Sequence, residues 1–358
     1  MGKFIKVIST VSAIGLDVAD VWSDWAGLDE SGRMVRCERV KTTESELRSV
    51  FGAIEPATIA IEAGTHSVWI SRVLSSIGHT VVVANARGVA LIHRNKRKNN
   101  RIDAELLARL VRADKELLFP IQHREERGQA DLAVLRSRDV TVRSRTKLIN
   151  HVRGTCKTFG VKLPRCSAEV FVVRCSGLVP AALHSAVNDV LALIAAMTAK
   201  IKSYDLTIAA MFKRHPAAQL VGKITGVGPL TSVAYVLTIE DPHRIVRSRS
   251  AGAYFGLVPG SDDSGEKHQQ RRITKEGDRF CRCLLVNAAQ YILGPFGAKV
   301  DSDLRRHGEA IASRGGKNAK KRAVIAVARK LAVLMHHLWV HNQDYVPLFN
   351  AAQKSVAA

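Results

Sequence analysis

Residues 57–84, ATIAIEAGTHSVWISRVLSSIGHTVVVA, decide how the N-terminal part of the chain folds. Two short apolar runs rich in β-branched residues, residues 57–63 and 80–84, are typical of buried strands. Residues 67–77, between them, have the pattern of a helix. A strand, a helix and a second strand in this order form a unit whose two strands run parallel.

The residues before this unit predict more of the same sheet. Residues 11–19 form another short apolar run, and residues 21–29 and 34–41 predict two further strands joined by the turn sequence Asp-Glu-Ser-Gly. Thr43 is a plausible N-cap for a helix over residues 44–51. A three-strand meander followed by a strand–helix–strand unit predicts a mixed sheet flanked by helices.

After residue 103 the pattern becomes helical. Residues 104–113 continue a first helix that Phe119-Pro120 ends, and residues 125–159 and 181–212 form two long helical runs. The first of the long runs carries basic residues throughout. Two such helices predict a projecting helical hairpin or coiled-coil arm, and an ordinary helical bundle is the alternative.

These patterns divide the chain into three predicted domains. Residues 1–118 form an α/β domain, residues 119–215 a helical arm, and residues 216–358 a mainly helical C-terminal domain. The predicted fold class is therefore α/β plus α.

Composition points to a polyanionic partner. The 358 residues are 46% hydrophobic and 24% charged, which is typical of a globular protein, yet the formal net charge is +22. Aromatic residues are only 5%, so stacking on bases is not expected to dominate. No stretch reaches 18 apolar residues and no signal-peptide cleavage pattern follows the N-terminal apolar run, so we expect a cytoplasmic, nucleoid-associated protein without a membrane span.

The cysteines do not form a metal-binding motif. No CxxC pair occurs, and two cysteines separated by a single residue have a poor spacing for a structural zinc site. We expect all six to be reduced cytosolic thiols: Cys37, Cys156, Cys166, Cys175, Cys281 and Cys283.

Carboxylates interrupt the apolar pattern at three places. Asp17 and Glu62 lie near the ends of two predicted strands, where an acid is costly to bury unless a positive charge compensates for it. Asp103 follows the basic sequence NKRKNNRIDAELLA of residues 95–108, with Asn100 three residues earlier. The three acids can converge on a pair of Mg²⁺ ions. Alternatively, they cap strand and helix ends that face water.

Two C-terminal segments suggest contact with phosphate. The sequence GVGP at residues 226–229 separates two helical runs and resembles a helix-hairpin-helix turn, although an ordinary tight turn fits as well. A basic cluster at residues 314–322, beside Gly315-Gly316, precedes and begins a predicted amphipathic helix over residues 319–342. Such a run is either a nucleic-acid contact or a solvated face.

Residues 253–285 contain a predicted loop with two serines, Ser261 and Ser264. Five cations surround this loop in the sequence, namely Arg271, Arg272, Lys275, Arg279 and Arg282. A serine beside guanidinium groups can attack a phosphodiester once its hydroxyl is deprotonated, and the alternative is that both serines form turns. His268 is interpreted as an exposed loop residue and not as the base.

Four N-terminal segments carry a family resemblance: GLDVA at residues 15–19, AIEAGTHSVW at residues 60–69, VVVANARGVALI at residues 81–92 and NRIDAELLARL at residues 100–110. Together they resemble the DEDD transposases, insertion-sequence recombinases with a RuvC-like (RNase H-like) N-terminal domain. The resemblance continues into the C-terminal third, where GLVP, SG and ITKEG are similar to the family's transposase domain.

The resemblance implies site residues and partners. It implies a Mg²⁺ (or Mn²⁺) site on Asp17, Glu62, Asn100 and Asp103, and Ser264 as nucleophile. It also implies a coiled-coil insertion, double-stranded DNA partners (element ends and target), a structured noncoding guide RNA, and a homodimer or homotetramer.

Asn100 departs from the family pattern, which has an acid at this position. An amide oxygen can coordinate Mg²⁺ but brings no negative charge, so weaker metal binding and lower activity are expected. Two alternatives therefore stay open beside a DNA recombinase. One is a metal-dependent, junction-resolving nuclease that hydrolyses DNA with water, and the other is a decayed copy that only binds nucleic acid.

Overall fold

The computed structural model describes residues 10–86, 99–264 and 267–350, with backbone alone between residues 261 and 270. The chain divides into two compact units, residues 1–123 and 124–358, and each is described by itself.

The first unit is built on a five-stranded mixed sheet. The strand order is β3-β2-β1-β4-β5, with β1, β2 and β3 antiparallel and β1, β4 and β5 parallel. This order is consistent with a RuvC-like domain and confirms the predicted mixed sheet. The elements are β1 (Ala13–Asp17), β2 (Trp22–Leu28), β3 (Met34–Lys41), α1 (Glu44–Phe51), β4 (Thr58–Glu62), α2 (Ser67–Ser76), β5 (Thr80–Ala84) and α3 (Asn100–Ala113).

Helices cover both faces of the sheet because its central strands are apolar on both sides. On one face, α1 and α2 bury Phe51 and Ile70 against Ile14, Trp25 and Ile59. On the opposite face, α3 buries a second, smaller group: Ala13, Ala60, Val82, Ala84, Leu107, Val111 and Leu118. The residues of β1 and β4 thus alternate between two cores.

The ends of two helices in this unit are set by side-chain caps. Thr43 accepts a hydrogen bond from the backbone N–H of Glu46, which confirms the predicted cap of α1. The prediction that α3 reaches Ala113 is also confirmed, but Phe119-Pro120 does not end it. Asp114 adopts an extended backbone there, and its carboxylate accepts from the backbone N–H of Glu116 to begin a short 3₁₀ helix.

The second unit is mainly helical and contains one two-stranded hairpin, β6 (Pro259–Ser264) with β7 (Lys267–Ile273). Its helices are α4 (Glu126–Thr158), α5 (Phe171–Cys175), α6 (His184–Arg214), α7 (Pro216–Val221), α8 (Pro229–Ile239), α9 (Ala251–Tyr254), α10 (Arg279–Leu293), α11 (Asp303–Ala312) and α12 (Ala319–His341). Tyr235, Phe255 and Leu331 lie in its largest core.

The long helices α4 and α6 pack against each other in antiparallel directions. Arg138 pairs with Asp205 at 2.6 Å, and Arg145, about two turns further along α4, donates to Thr198, earlier in α6. The C-terminal part of α4 and the start of α6 share a small core around Phe171. The two long helices are therefore paired, as both a helical arm and an ordinary bundle require.

Within the described residues, the helices α6 and α12 are long and apolar enough by length and composition to cross a membrane. Both pack against helices of their own unit, α6 against α4 and α12 against α10 and α11. One face of each helix is thus buried within the unit, as Leu191 and Ile208 of α6 and Leu331 and Met335 of α12 show, whereas Leu193 and Leu206 of α6 are exposed.

All six cysteines are free thiols. Cys156, Cys175 and Cys281 are buried, and burial, the largest cause in each case, raises the pKa of each thiol above its ordinary value. These three side chains therefore stay protonated at neutral pH and act as small apolar residues of the core.

Candidate active site

Asp17 and Glu62 lie side by side at the carboxyl ends of the parallel strands β1 and β4. Asp17 is the last residue of β1 and Glu62 the last of β4, and the two strands pair in parallel with Leu16 beside Ile61. Both acids are partly exposed and both have polar partners. Two carboxylates on rigid, neighbouring strand ends form the core of the candidate site.

Both acids project towards the face of the sheet that α3 covers. Gly15 lies two residues before Asp17, and a Cβ at Gly15 would stand 1.9 Å from the carbonyl oxygen of Ala104 in α3. Because side chains alternate along a strand, Asp17 shares that face with Gly15. Glu62 shares it with Ala60, which packs in the same core as Leu107.

The first turn of α3 lies at the same end of the sheet. The Nη2–H of Arg101 donates to the carbonyl oxygen of Cys37 in β3 at 3.2 Å. At the other end of the helix, the Nη1–H of Arg112 donates to the carbonyl oxygen of Glu30 at 3.0 Å, in the turn between β2 and β3. The helix therefore runs from the strand ends that carry Asp17 and Glu62 towards the opposite ends of the strands.

Asn99 caps α3, because its Oδ1 accepts a hydrogen bond from the backbone N–H of Arg101 at 3.1 Å. The alternative that Asn100 or Asp103 is the N-cap is therefore wrong. Asn100 is the first residue of the helix and Asp103 the fourth. They lie on the same helical face as the buried residues Ala104 and Leu107, about one turn closer to the N-terminus. The basic block before the cap (Arg94, Lys96, Arg97 and Lys98) lies outside the described residues.

The donor atoms gathered at this edge suit a hard divalent cation. Carboxylate and amide oxygens are the ligands that Mg²⁺ and Mn²⁺ prefer. As the side chains stand, no group of three or more His, Cys, Asp or Glu within the described ranges is close enough to hold a metal ion. The donor atoms are thus of the type that a hard divalent cation prefers, and those of Asp17 and Glu62 project from the same face of the sheet. The donor side chains do not converge on one point.

Sequence reasoning missed a further acid at this edge, Asp24. It lies on β2 directly opposite Asp17 in the antiparallel register, it is 4% exposed, and its Oδ1 lies 3.5 Å from the Nε of Arg39. The signal lay in the short connection of residues 18–21 between β1 and β2, since a strand register counted from that connection sets Asp24 opposite Asp17.

His66 is a second residue that sequence reasoning missed. Its Nδ1 accepts the indole N–H of Trp69 at 3.0 Å, so its Nε2 carries the proton and donates to Asp20 at 2.9 Å. Asp20 follows β1 and His66 follows β4. The contact joins the two segments that come directly after Asp17 and Glu62.

The segment that carries Ser264 is a hairpin and not the predicted loop. Ser264 is the last residue of β6 and pairs with Lys267, while Ser261 pairs with Gln270 and Asp263 with His268. Both strands are polar almost throughout, so they lack the alternation of apolar and polar residues that predicts a strand, and the Pro-Gly and Ser-Gly sequences indicated a loop instead. The side chains of Ser261, Ser264 and His268 lie outside the described residues.

Arg282 is not one of the cations that face the hairpin. It is 9% exposed, and its Nη1–H donates to the carbonyl oxygens of Phe255 at 3.1 Å and Glu276 at 2.7 Å. It therefore anchors the two backbone segments at the base of the hairpin. The remaining four of the predicted cations, Arg271, Arg272, Lys275 and Arg279, are exposed.

The GVGP turn connects α7 with α8. Gly226 has φ +88°, and a Cβ there would meet Ile292 of α10 at 3.0 Å, which accounts for the glycine. A Cβ at Gly228, the N-cap of α8, would meet nothing within 4 Å. The turn is thus packed on one side and open at the start of α8.

The basic cluster at residues 314–322 is a surface feature. Lys317, Lys320 and Lys321 are exposed, and the Nη2–H of Arg322 donates to the carbonyl oxygen of Gly315 at 3.1 Å. Gly315 and Gly316 both have positive φ, 73° and 90°, so the chain turns sharply before α12. This arrangement leaves the lysines available to a polyanion.

Comparisons with known proteins agree with these features. The sequence model of an IS110-type DEDD transposase, described as a transposase, matches residues 14–159, and a model described as the transposase IS116/IS110/IS902 family matches residues 218–300. The first match contains both strand-end acids and the start of α3, and the second contains the β6–β7 hairpin.

Relatives of similar length extend the match. A transposase for insertion sequence element IS1111A from Coxiella burnetii is 27% identical over 95% of this chain and 93% of its own length. A putative transposase of Sinorhizobium fredii is 26% identical over 88% of this chain and 81% of its own. A probable family 20 transposase of Pseudomonas aeruginosa is 26% identical over 82% and 88%. With both ends of the chain matched, this protein is a DNA transposase that is similar over most of its length to the DEDD transposases of insertion sequences.

Proposed function

We propose that this transposase cuts and exchanges DNA strands with a divalent cation at Asp17, Glu62, Asn100 and Asp103 and with Ser264 as nucleophile. The observation that carries the metal-dependent half is the position of Asp17 and Glu62 on adjacent strand ends, facing the helix that begins with Asn100. Acids from two strands and one helix are a common way to hold Mg²⁺ against a phosphodiester.

The four residues differ in the charge that they would bring to the cation. Asp17, Glu62 and Asp103 would supply carboxylate oxygens to Mg²⁺ or Mn²⁺, and Asn100 a neutral amide oxygen. When bound, the cations stabilise the charge that develops on the attacking and leaving oxygens of the phosphodiester. Because these four residues carry three formal charges instead of four, we expect weaker cation binding and lower activity than an acid at position 100 would give.

The covalent step uses the Ser264 hydroxyl. Its oxygen attacks the phosphorus, its proton passes to a general base, and the bridging P–O bond breaks so that the departing DNA oxygen takes up a proton. A DNA hydroxyl then attacks the phosphoserine, which rejoins the strands and frees the serine.

The partners follow from charge and family. A net charge of +22, the exposed lysines of residues 314–322 and the open start of α8 suit double-stranded DNA at the element ends and target. The same charge suits a structured noncoding guide RNA. We propose that residues 119–215 act as a coiled-coil arm of a homodimer or homotetramer between domains of residues 1–118 and 216–358, in the bacterial cytoplasm at the nucleoid.

Trapping a covalent protein–DNA adduct tests the serine. The full-length protein is incubated with element-end DNA, the RNA transcribed from the element's flanks and Mg²⁺, then denatured and resolved by gel electrophoresis. We expect an adduct that Ser264→Ala abolishes and Ser261→Ala, its matched control in the same strand, retains. An adduct that persists in Ser264→Ala overturns the assignment.

The same assay separates the two rival functions. A junction-resolving nuclease would cut DNA with water, leaving product in Ser264→Ala and no adduct in the unmodified protein. A decayed copy would bind DNA or RNA and give neither adduct nor product at any Mg²⁺ or Mn²⁺ concentration. Asn100 is the specific observation that favours this second rival.

A further inference from the structure

Asp24 stands beside the proposed cation site although the family pattern does not include it. It faces Asp17 directly across the β1–β2 pair, and directly opposed residues in an antiparallel pair project from the same face of the sheet. That face carries Gly15, against which α3 packs at Ala104. Asp24 therefore projects into the region where Asp17 and the first turn of α3 meet.

The surroundings of Asp24 compensate only part of its charge. Like charges directly opposite each other on a strand pair are destabilising, and an acid that is 4% exposed loses most of its hydration. Arg39 approaches to 3.5 Å, and Arg101 also attracts Asp24 from the start of α3. Both guanidiniums belong to exposed side chains, so solvent screens their attraction for the opposed carboxylates.

A polar cleft of about 650 Å³ opens next to Asp24. The residues that line it come from β2, β3 and the start of α3: Asp24, Glu38, Arg39, Asn99, Asn100 and Arg101. Asp24 and Asn100 thus border the same cleft. An acid here lies where the neutral side chain of Asn100 leaves the set of ligands one negative charge short.

We propose that Asp24 is a further carboxylate of the divalent-cation site, which ligates the cation together with Asp17 and supplies the charge that Asn100 lacks. This inference rests on the proposed metal-dependent function. It assigns the site four carboxylates, Asp17, Asp24, Glu62 and Asp103, so that cation binding survives the substitution at position 100.

Cation affinity without nucleic acid tests the proposal. Binding of Mn²⁺ alone to the full-length protein is measured by titration with electron paramagnetic resonance of the free ion. We expect Asp24→Asn to weaken Mn²⁺ binding about tenfold or more, as Asp17→Asn does. The matched control is Glu105→Gln, which removes a half-buried acid paired with Arg109 and leaves the affinity unchanged.

The outcomes separate this inference from the proposed function. Unchanged Mn²⁺ affinity in Asp24→Asn, with a loss in Asp17→Asn, overturns the role of Asp24 and leaves the metal site intact. Unchanged affinity in Asp17→Asn, Glu62→Gln and Asp103→Asn overturns the metal site itself. Thermal unfolding of each variant shows whether it is folded.

Arg39→Gln keeps the proposal testable if Asp24→Asn does not fold. If Asp24 serves the cation, removing the competing guanidinium leaves its carboxylate to Mn²⁺ and the affinity rises severalfold. If Asp24 only holds Arg39, the affinity stays the same or falls, which contradicts the proposal.

Discussion

Asn100 is the residue at which the charge balance of the candidate site is weakest. It is the first residue of α3, with its neighbour Asn99 as the cap, so its side chain is not needed to begin the helix. It also borders the polar cleft beside Asp24. A carboxylate in its place would add charge at an N-terminal helix position, where the helix dipole favours an acid.

We predict that Asn100→Asp tightens Mn²⁺ binding by about tenfold and raises Mg²⁺-dependent recombination, because hard cations prefer carboxylates to amides. The measurements are Mn²⁺ titration and the yield of recombinant product over a Mg²⁺ series. Asn99→Asp, at the cap, is the control and should change neither strongly. An unchanged rate and an unchanged affinity in Asn100→Asp would contradict the role given to position 100.

His336 is a buried titratable residue outside the candidate site. It is 1% exposed, its Nδ1 lies 2.9 Å from the Oγ of Ser248, and its Nε2 lies 2.8 Å from the carbonyl oxygen of Pro242. Because Nε2 donates to that carbonyl, Nδ1 accepts from Ser248 in the neutral ring. Burial, the largest cause, lowers the pKa of His336 below its ordinary 6.5.

This lowered pKa predicts a loss of stability in mild acid. The unfolded chain binds the proton more readily, so the stabilisation by neutral His336 is complete above pH 6.5 and declines as the pH falls below that value. His336→Gln should lower the unfolding midpoint at pH 8 and flatten its dependence between pH 7 and 5. Thermal denaturation against pH measures this, with exposed His337→Gln as control. An unflattened curve in His336→Gln would contradict the prediction.

At the level of elements, the contact between β1 and α3 holds the candidate site together. Gly15 lets the backbone of α3 approach so closely that a Cβ would lie 1.9 Å from the carbonyl oxygen of Ala104 and 2.5 Å from the backbone nitrogen of Ala108. Backbone atoms cannot move aside as a flexible side chain can. The distance from Asp17 to the first turn of α3 therefore depends on this glycine.

We predict that Gly15→Ala pushes α3 away from the sheet. The free energy of unfolding should fall by about 1–3 kcal/mol, as expected when an extra carbon enters a packed contact. Mn²⁺ affinity should fall with it, since Asn100 and Asp103 move with the helix. Denaturant unfolding and Mn²⁺ titration check both effects.

Gly64→Ala is the matched control for this substitution. It lies two residues after Glu62, where a Cβ would meet nothing within 4 Å, so both quantities should stay near their original values. Equal behaviour of the two variants would show that the close approach at Gly15 does not position the helix.

For the whole molecule, the excess of positive charge is the property most directly tied to a nucleic-acid partner. Many of its arginines are engaged in local ion pairs, as Arg48 is with Glu44 and Arg109 with Glu105. The lysines of residues 314–322 are exposed instead. Exposed cations near a sharp turn can approach DNA phosphates and displace their counterions.

We predict that DNA binding weakens steeply with salt and that Lys317, Lys320 and Lys321 contribute to this dependence. Replacing all three with alanine should reduce the slope of log affinity against log salt concentration by about 2–3, since each phosphate contact contributes about 0.9. Fluorescence anisotropy with duplex DNA over a salt series measures the slope.

The control for the lysine variant replaces Arg48, Arg109 and Arg306 with alanine. Each of these arginines already pairs with a nearby acid, so the slope should change much less. A slope that falls equally in both variants would indicate that net charge alone, and not the lysine cluster, governs binding.

The sequence by itself determined the elements of the first unit and the family. Periods of two and of 3.6 residues are local properties, so β5 and α1 were predicted with the bounds that the structure has, and the other strands to within two residues. The order of the elements in turn restricts the sheet to few topologies. Asp17 and Glu62 stood out because an acid ending an apolar strand needs an explanation.

Only the tertiary structure decided which residues share a site. Asp24 becomes a neighbour of Asp17 through strand register, His66 joins Asp20 across 46 positions of sequence, and Arg282 proves buried although its sequence surroundings are basic. Each outcome depends on which face of an element is covered, and by what. That information lies in contacts between distant segments, which local periodicity and composition do not contain.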